Sequence, residues 1–295
     1  MDCERVTVDG LTFECRRRGD GDRLALCLHG FPDDAGTMDP LLDRLADAGF
    51  TAVAPYMRGY GPTDPAPDGD YTSIAMAKDA TGLAEELTDG EAVLIGHDWG
   101  AAGAYAAAAI APEQFSHLVT LAVPPRFVEL LPDHSRQWLR SWYIIFFQLP
   151  WLPERVLRAR DFALVESLWR TWSPTWDVPE ERLAAVKETF REQGTVEAAL
   201  TYYRQFGRQA AEKLLDDAIA RRFPGEEGDG DGGGIEVPAL VLAGRQDGCI
   251  GHELFDDAEA AFAGRCRCVK LTDAGHFMHH ERPDVVADEI LSFVT

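Results

Sequence analysis

The chain has 295 residues, 46% of them hydrophobic, so it can bury a large core as one domain with an insertion or as two small domains. Its formal net charge of −22, from 50 acidic and 28 basic residues, argues against nucleic acid and anionic membranes as partners. The sequence opens on a charged segment, and no apolar run reaches the ~18 residues that span a bilayer, so we expect a soluble cytoplasmic protein. Six scattered cysteines are too few for a disulfide framework in a chain of this length.

The first half of the sequence alternates short apolar runs with helical patterns. Two strands are predicted at residues 5–8 and 11–15, joined by Asp9-Gly10, a dipeptide typical of a hairpin turn. The next four strands are predicted at residues 24–28, 51–54, 92–95 and 117–122, with helices at 38–48, 73–87 and 99–110 between them. This alternation predicts an α/β fold with a mostly parallel sheet, helices on both faces and an antiparallel edge.

The second half begins with a long segment that has no strand pattern. It contains six of the seven tryptophans and has helical periodicity at residues 180–190 and 195–206. Strands at 238–243 and 266–271 and helices at 253–262 and 283–293 follow. We therefore predict a sheet core built from residues 1–124 and 236–295, with a helical cap, residues 125–235, inserted after the sixth strand and covering the carboxyl edge of the sheet.

The predicted cap ends in a stretch rich in glycine and acidic residues, at positions 225–234. This composition is typical of a flexible linker. A calcium-binding loop is the alternative interpretation, but the spacing lacks the distal glutamate of an EF-hand.

The sequence Gly-His-Asp-Trp-Gly at residues 96–100 lies between a predicted strand and a helix of small residues. A strand, a turn flanked by glycines and a helix are typical of a nucleophile elbow, and the exposed position here holds Asp98 where most such turns hold serine. A carboxylate nucleophile forms an alkyl ester with an electrophilic carbon. The motif therefore predicts an alkylating electrophile as the substrate.

Two residues that follow late strands complete a predicted catalytic triad. His276 comes just after the last strand and is the expected base, while Asp247, after the strand before it, is the expected orienting acid. Asp273 is the alternative acid, although it is better explained as a turn residue. His279 and His280 compete with His276 but are expected on the following turn.

The run His-Gly-Phe-Pro at residues 29–32 ends the third predicted strand. Its position before the elbow predicts an oxyanion hole, in which the backbone N–H groups of Phe31 and Trp99 converge on one oxygen.

The chain resembles the α/β-hydrolase superfamily over nearly its whole length, and within it the epoxide hydrolases. The motifs that match in order are the His-Gly-Phe-Pro run, the loop at residues 58–64, the aspartate elbow and the Gly-His-Phe loop at residues 275–277. The aspartate narrows the field to epoxide hydrolases and dehalogenases.

Two segments of the predicted cap favour the epoxide hydrolases. Ser-Trp-Tyr at 141–143, followed by Phe147-Gln148, looks like the first cap motif, and Tyr-Tyr-Arg at 202–204 looks like the second. The resemblance implies that Tyr143 and Tyr203 donate protons to the epoxide oxygen. It also implies that His29, Pro32, Trp142 and Phe147 contact the substrate, whereas Arg204 anchors the cap.

The resemblance implies a two-step reaction without a metal or an organic cofactor. Asp98 opens the epoxide of a small molecule, and water activated by His276 hydrolyses the ester to a vicinal diol. A haloalkane or haloacid dehalogenase with the same nucleophile is one alternative, with tryptophan N–H groups holding the halide. A non-catalytic binding protein is another, and a serine esterase is excluded because no serine occupies the elbow. The oligomeric state does not follow from the sequence.

The charged residues also predict a halophilic source, because 24 of the 28 basic residues are arginine and only 4 are lysine. An acidic protein from a GC-rich genome is the alternative. Since salt screens the self-repulsion of the acidic surface, we expect the melting temperature and the activity to rise between about 0.1 M and about 2 M KCl. Thermal unfolding and rate measurements in the two buffers test this, and equal values in both would contradict it.

Overall fold

The structure, a computed structural model, describes residues 2–222 and 234–295. Its strands are β1 (Asp2–Val8), β2 (Leu11–Arg18), β3 (Arg23–Leu28), β4 (Phe50–Pro55), β5 (Ala92–His97), β6 (Phe115–Leu121), β7 (Ala239–Gly244) and β8 (Cys266–Leu271). They form one sheet in the order β1-β2-β4-β3-β5-β6-β7-β8. β2 pairs antiparallel with β1 and β4, and every other neighbouring pair is parallel. The predicted fold class and its antiparallel edge are confirmed.

Helices cover both faces of this sheet. They are α1 (Asp39–Asp47), α2 (Ser73–Leu87), α3 (Trp99–Ile110), α4 (Phe127–Leu130), α5 (Ser135–Arg140), α6 (Trp142–Phe146), α7 (Leu152–Arg158), α8 (Ala163–Trp172), α9 (Glu180–Arg191), α10 (Thr195–Arg222), α11 (Met278–Glu281) and α12 (Pro283–Val294). Apolar residues of α1 and α12 pack on one face, and those of α2 and α3 pack on the other. β4, β5 and β7 are consequently buried at every position, as parallel strands covered on both faces must be.

The small residues of α3 allow α2 to pack closely against it. A Cβ atom at Gly103 of α3 would lie only 2.8 Å from the Cβ of Met76 in α2. The alanine and glycine run that follows the elbow therefore has a packing role, which brings two helices together on one face of the sheet.

Seven helices, α4 to α10, follow β6 in the described part of the chain and form the predicted helical insertion. Their buried aromatic residues belong to the same apolar cluster as α2 and α3. None of the helices in the described ranges is both long and apolar enough to cross a membrane. Residues 225–233 of the predicted linker lie outside the described residues.

One predicted helix, at residues 253–262, is wrong. The segment forms two short 3-10 turns, His252–Phe255 and Ala258–Ala261, and Phe262 is extended, where it makes a single bridge with Ile235. Leu254, Phe255, Ala258 and Ala261 are nevertheless buried. Two short turns bury the same apolar positions as a helix would, so the periodicity did not distinguish between them.

The loop after β4 is held by a buried arginine. The Arg58 guanidinium donates to both carboxylate oxygens of Asp79 on α2, each at 2.6 Å, and also to the carbonyl oxygen of Ala75 at 3.2 Å and to that of Asp70. Tyr202 of α10 in turn donates its hydroxyl proton to the Arg58 carbonyl at 2.9 Å. This loop therefore links the sheet, α2 and the helical insertion.

We expect Arg58→Met to lower the free energy of unfolding by about 3–5 kcal/mol, because it leaves the Asp79 carboxylate buried without its partner. Arg158→Ala is the matched control, since Arg158 and Glu197 form an exposed pair whose loss should cost less than about 1 kcal/mol. Urea unfolding of both variants measures the difference. Equal losses in the two variants would contradict the role given to Arg58.

Candidate active site

Asp98 occupies the turn between β5 and α3 in an uncommon backbone conformation, with φ 51° and ψ −115°. This region is unfavourable for a residue with a side chain, and it persists where the surrounding structure enforces it. The Asp98 N–H donates to Leu121 of β6, and a Cβ atom at Gly100 would lie 2.3 Å from the carbonyl oxygen of Leu28. The turn is therefore compressed against β3 and β6, and it holds the Asp98 carboxylate above the carboxyl ends of the strands.

His276 lies between two buried carboxylates. Its Nδ1 is 2.9 Å from Asp247 Oδ2, and its Nε2 is 3.6 Å from Asp98 Oδ2. The other oxygen of Asp247 accepts hydrogen bonds from the N–H groups of Cys249 at 2.6 Å and Ile250 at 2.9 Å. The structure thus brings the three predicted triad residues together, with Asp247 fixed by its own loop.

The charges of this group depend on one another. Burial would lower the pKa of His276, but the charge and hydrogen bond of Asp247, together with Asp98, raise it to about 10. Burial would likewise raise the pKa of Asp98, yet His276, His97 and the N–H of Phe31 lower it. At neutral pH the site therefore holds two carboxylates around an imidazolium.

The N–H of Phe31 donates to Asp98 Oδ1 at 2.8 Å. The chain can approach this closely because residue 30 is glycine, where a Cβ atom would lie 2.3 Å from the Cβ of Asp98. Trp99 begins α3, so its N–H has no acceptor within the helix and is free for the second predicted contact. The two backbone donors predicted for an oxyanion hole thus flank the elbow, and one already holds an Asp98 oxygen.

A cavity of about 500 Å³ opens from Asp98 between the sheet and the helices that follow β6. Tyr143 and Tyr203 line it together with Trp99, and both tyrosines are almost completely buried. Their rings lie 5.6 Å apart at an angle of 88°, and burial raises the pKa of both hydroxyls well above its ordinary value. Two protonated phenols therefore face the cavity that contains the carboxylate.

The two tyrosine hydroxyls have different surroundings. Tyr143 Oη is 3.2 Å from the Sγ atom of Cys249, whereas Tyr203 Oη is buried with no hydrogen-bond partner among the described residues. Tyr202 also lines the cavity, but its hydroxyl is engaged by the Arg58 carbonyl. Of the two consecutive tyrosines on α10, it is therefore Tyr203 that keeps a free hydroxyl.

Four residues expected to contact substrate do not line this cavity: His29, Pro32, Trp142 and Phe147. His29 is buried and accepts from the N–H of Met57, and the Pro32 carbonyl accepts from Trp169 Nε1, so both stabilise the turn that carries Phe31.

The other two belong to α6 and to the residue after it. Adjacent residues of a helix point about 100° apart. Because Tyr143 points into the protein, the neighbouring Trp142 points outward and is 47% exposed. Phe147 is fully buried against the rings of Phe31 and Tyr203. It therefore packs against Tyr203, which lines the cavity, without lining the cavity itself.

Arg204 has the predicted anchoring role. It donates to the carbonyls of Phe147 and Leu149 and forms an ion pair with Glu154. It therefore ties α10 to the segment between α6 and α7, next to Tyr203.

One buried polar group, next to the predicted base His276, was not predicted from the sequence. His97 Nε2 donates to the carbonyl of His276 at 3.0 Å, which leaves its Nδ1 facing Asp33 Oδ2 at 3.7 Å, and His279 Nε2 lies 3.5 Å from the same oxygen. Burial raises the pKa of Asp33 to about 6, and it lowers the pKa of both imidazoles well below the ordinary value. The one feature of the sequence that could have indicated this group is the position of His97 next to the predicted nucleophile, Asp98.

Two sets of described residues bring three metal-ligating atoms within 4.8 Å of one another. The first is this group of Asp33, His97 and His279, and the second is Asp247, Cys249 and His276. In the second, hydrogen bonds between Asp247 and His276 and between Cys249 and Tyr143 already use the ligand atoms.

The fold and this site define an α/β-hydrolase. The family described as the alpha/beta hydrolase fold matches residues 26–283, and the chain belongs to it.

Within this family, the proteins to which the chain is similar include several named epoxide hydrolases. AB hydrolase superfamily protein YfhM of Bacillus subtilis is 30% identical over 298 residues, which cover 99% of this chain and 97% of that protein. Human Epoxide hydrolase 4 is 28% identical over 98% of this chain and 77% of its own length. This chain also aligns with the crystal structure of a Bacillus megaterium epoxide hydrolase in complex with an inhibitor, over 99% of each chain and with a TM-score of 0.82. The two sequences are 24% identical, and this similarity is one of fold. The chain is an epoxide hydrolase-like member of its family.

The raised pKa of His276 predicts how stability depends on pH. The group is protonated in the folded state up to about pH 10 but, when unfolded, only to its ordinary value near 6.5. Its contribution to stability is therefore complete below about pH 6.5 and is lost as the pH rises toward 10. Urea unfolding at both ends of this range should show a larger advantage of the wild type over His276→Gln at the lower pH. An advantage that is equal at both ends would contradict the assigned charge state.

Proposed function

We propose that the protein is an epoxide hydrolase, which converts a small-molecule epoxide to a vicinal diol through a covalent ester of Asp98. The observation that carries the proposal is the pair of buried phenols, Tyr143 and Tyr203, which share a cavity with a buried carboxylate. An epoxide needs both groups at once, since one carbon must be attacked while the ring oxygen receives a proton.

In the first step, Asp98 Oδ2 attacks an epoxide carbon. The Phe31 N–H already binds Oδ1, which leaves Oδ2 as the oxygen free to react. The C–O bond of the ring breaks, and its electron pair stays on the oxygen, which receives hydrogen bonds and then a proton from the tyrosines. The product is a hydroxyalkyl ester whose carbonyl oxygen is Oδ1.

The second step requires His276 to become a base. Ester formation removes the negative charge of Asp98, which is one of the groups that raise the pKa of His276. The imidazolium can then give its proton to the tyrosine phenolate that ring opening produced, and the neutral ring, oriented by Asp247, can take a proton from water. Water attacks the ester carbonyl while the N–H groups of Phe31 and Trp99 stabilise the oxyanion. The bond between the carbonyl carbon and the ester oxygen then breaks, the hydroxyl proton of the intermediate passes to the leaving oxygen, and the diol departs, which leaves Asp98 as a carboxylate.

The relatives and the chain organisation support this proposal. Human Epoxide hydrolase 4 is a relative over almost all of this chain. We assign residues 125–235 to the cap that closes the site, and residues 1–124 and 236–295 to the core. The residues assigned to the reaction need neither a metal nor an organic cofactor, and the acidic composition suits a cytoplasmic protein of a halophile.

Dehalogenation is the competing function, and one observation favours it. The Nε1 atom of Trp99 is buried and has no partner in the part of the chain that the structure describes, as a halide donor would be. Trp99 is, however, the one tryptophan among the described residues that line the cavity, and Phe31 stands where one dehalogenase group has a halide-binding asparagine. Dehalogenation would also give the phenols of Tyr143 and Tyr203 no role in the reaction.

Trapping the ester separates the two functions. In His276→Gln the hydrolysis step is blocked, so styrene oxide should raise the mass of the Asp98 peptide by the whole mass of the epoxide. A chloroalkane should leave the peptide unchanged and release no chloride. Asp98→Asn, treated in the same way, is the matched control and should gain no mass. Alkylation by the chloroalkane with chloride release would favour a dehalogenase, and no adduct from either reagent would refute covalent catalysis by Asp98.

A further inference from the structure

We propose that Cys249 is a positioning residue for Tyr143, so that the two candidate catalytic tyrosines have different roles; this inference rests on the proposed epoxide hydrolase function. Tyr143 Oη is in contact with Cys249 Sγ at 3.2 Å, and Cys249 is completely buried. The corresponding hydroxyl of Tyr203 has no partner among the described residues.

The position of Cys249 is fixed by the loop that carries the triad acid. Its N–H donates to Asp247 Oδ1 at 2.6 Å, and its carbonyl accepts from Gln137 Nε2 at 2.8 Å. Gln137 belongs to α5, in the helical insertion, and its side-chain oxygen also accepts from the N–H of Gly251. The backbone of Cys249 is therefore held from the core side and from the side of α5, and this fixes the point from which its thiol reaches Tyr143.

The thiol keeps its proton in this environment. Burial and the nearby carboxylates of Asp247 and Asp98 raise the pKa of Cys249 well above its ordinary value. A protonated thiol can donate to Tyr143 Oη, and this leaves the O–H of Tyr143 to point at the epoxide oxygen. Sulfur is a weak acceptor, so the opposite orientation would hold the phenol proton only loosely.

This hydrogen bond matters when the ring opens. The epoxide C–O bond breaks as the bond from Asp98 Oδ2 to carbon forms, and the oxygen takes the proton of Tyr143. The S–H group then donates to the resulting phenolate, which is a charge-assisted hydrogen bond and stronger than the original one. Tyr203 has no such donor, so it contributes a hydrogen bond to the oxygen while Tyr143 transfers the proton. Before hydrolysis the imidazolium proton of His276 restores the phenol, and the proton that the neutral ring then takes from water restores the imidazolium.

The test measures the rate of ester formation in single turnovers with styrene oxide, in the His276→Gln background. We expect Cys249→Ala to slow this step about three- to tenfold, the worth of one ordinary hydrogen bond. Cys249→Ser keeps a donor and should retain most of the rate. Cys15→Ala is the matched control, because Cys15 is equally buried but lies on β2, and its rate should not change.

A double-mutant cycle separates positioning from general damage. Once Tyr143→Phe has removed the hydroxyl, Cys249→Ala should cause no further loss, whereas its effect should persist undiminished in Tyr203→Phe. A loss from Cys249→Ala that is equal in both tyrosine backgrounds, or a serine variant as slow as alanine, would overturn the inference. The proposed function would survive that result, since it fails only if no ester forms at all.

Discussion

The hydrogen bond from the Phe31 N–H to Asp98 Oδ1 is the contact on which the rest of the site depends. It joins the segments that follow two neighbouring parallel strands, β3 and β5, whose register pairs Leu28 with Gly96. The two segments can meet because glycine occupies positions 30 and 100, where any Cβ atom would collide with the opposing chain. One contact thereby fixes the strained turn, selects which carboxylate oxygen reacts and supplies the donor for the later oxyanion.

The same hydrogen bond also helps to stabilise the buried charges of the site. Asp98 can stay ionised when buried because a backbone donor and His276 both stabilise its charge. His276 in turn is charged because it lies between Asp98 and Asp247. Asp98 is one of the groups that raise the pKa of His276, so alkylation of Asp98 would itself favour the neutral base that hydrolysis needs. The chemistry of the first step thus prepares the second.

Most of the core could be predicted from the sequence because its rules are local. Strand and helix periodicity, turn residues and the rule that parallel strands end at one edge were sufficient to place Asp98, Asp247 and His276 together. The prediction was wrong where two structures bury the same positions, as in the turns at 252–261. The buried group of Asp33, His97 and His279 was missed because no sequence motif links its members, and nothing local distinguishes a buried histidine from an exposed one.

The substrate-facing residues of the helical insertion were harder to predict, because they depend on the rotation of each helix by a single residue. Trp142 and Tyr143 are adjacent, yet one is half exposed and the other lines the cavity. Tyr202 and Tyr203 are also adjacent and both line the cavity, but the hydroxyl of Tyr202 is bound to the Arg58 carbonyl, whereas that of Tyr203 has no partner among the described residues. The resemblance in motifs had already selected Tyr143 and Tyr203, and the packing of α10 against the core explains why Tyr203 rather than Tyr202 keeps an unpaired hydroxyl among the described residues.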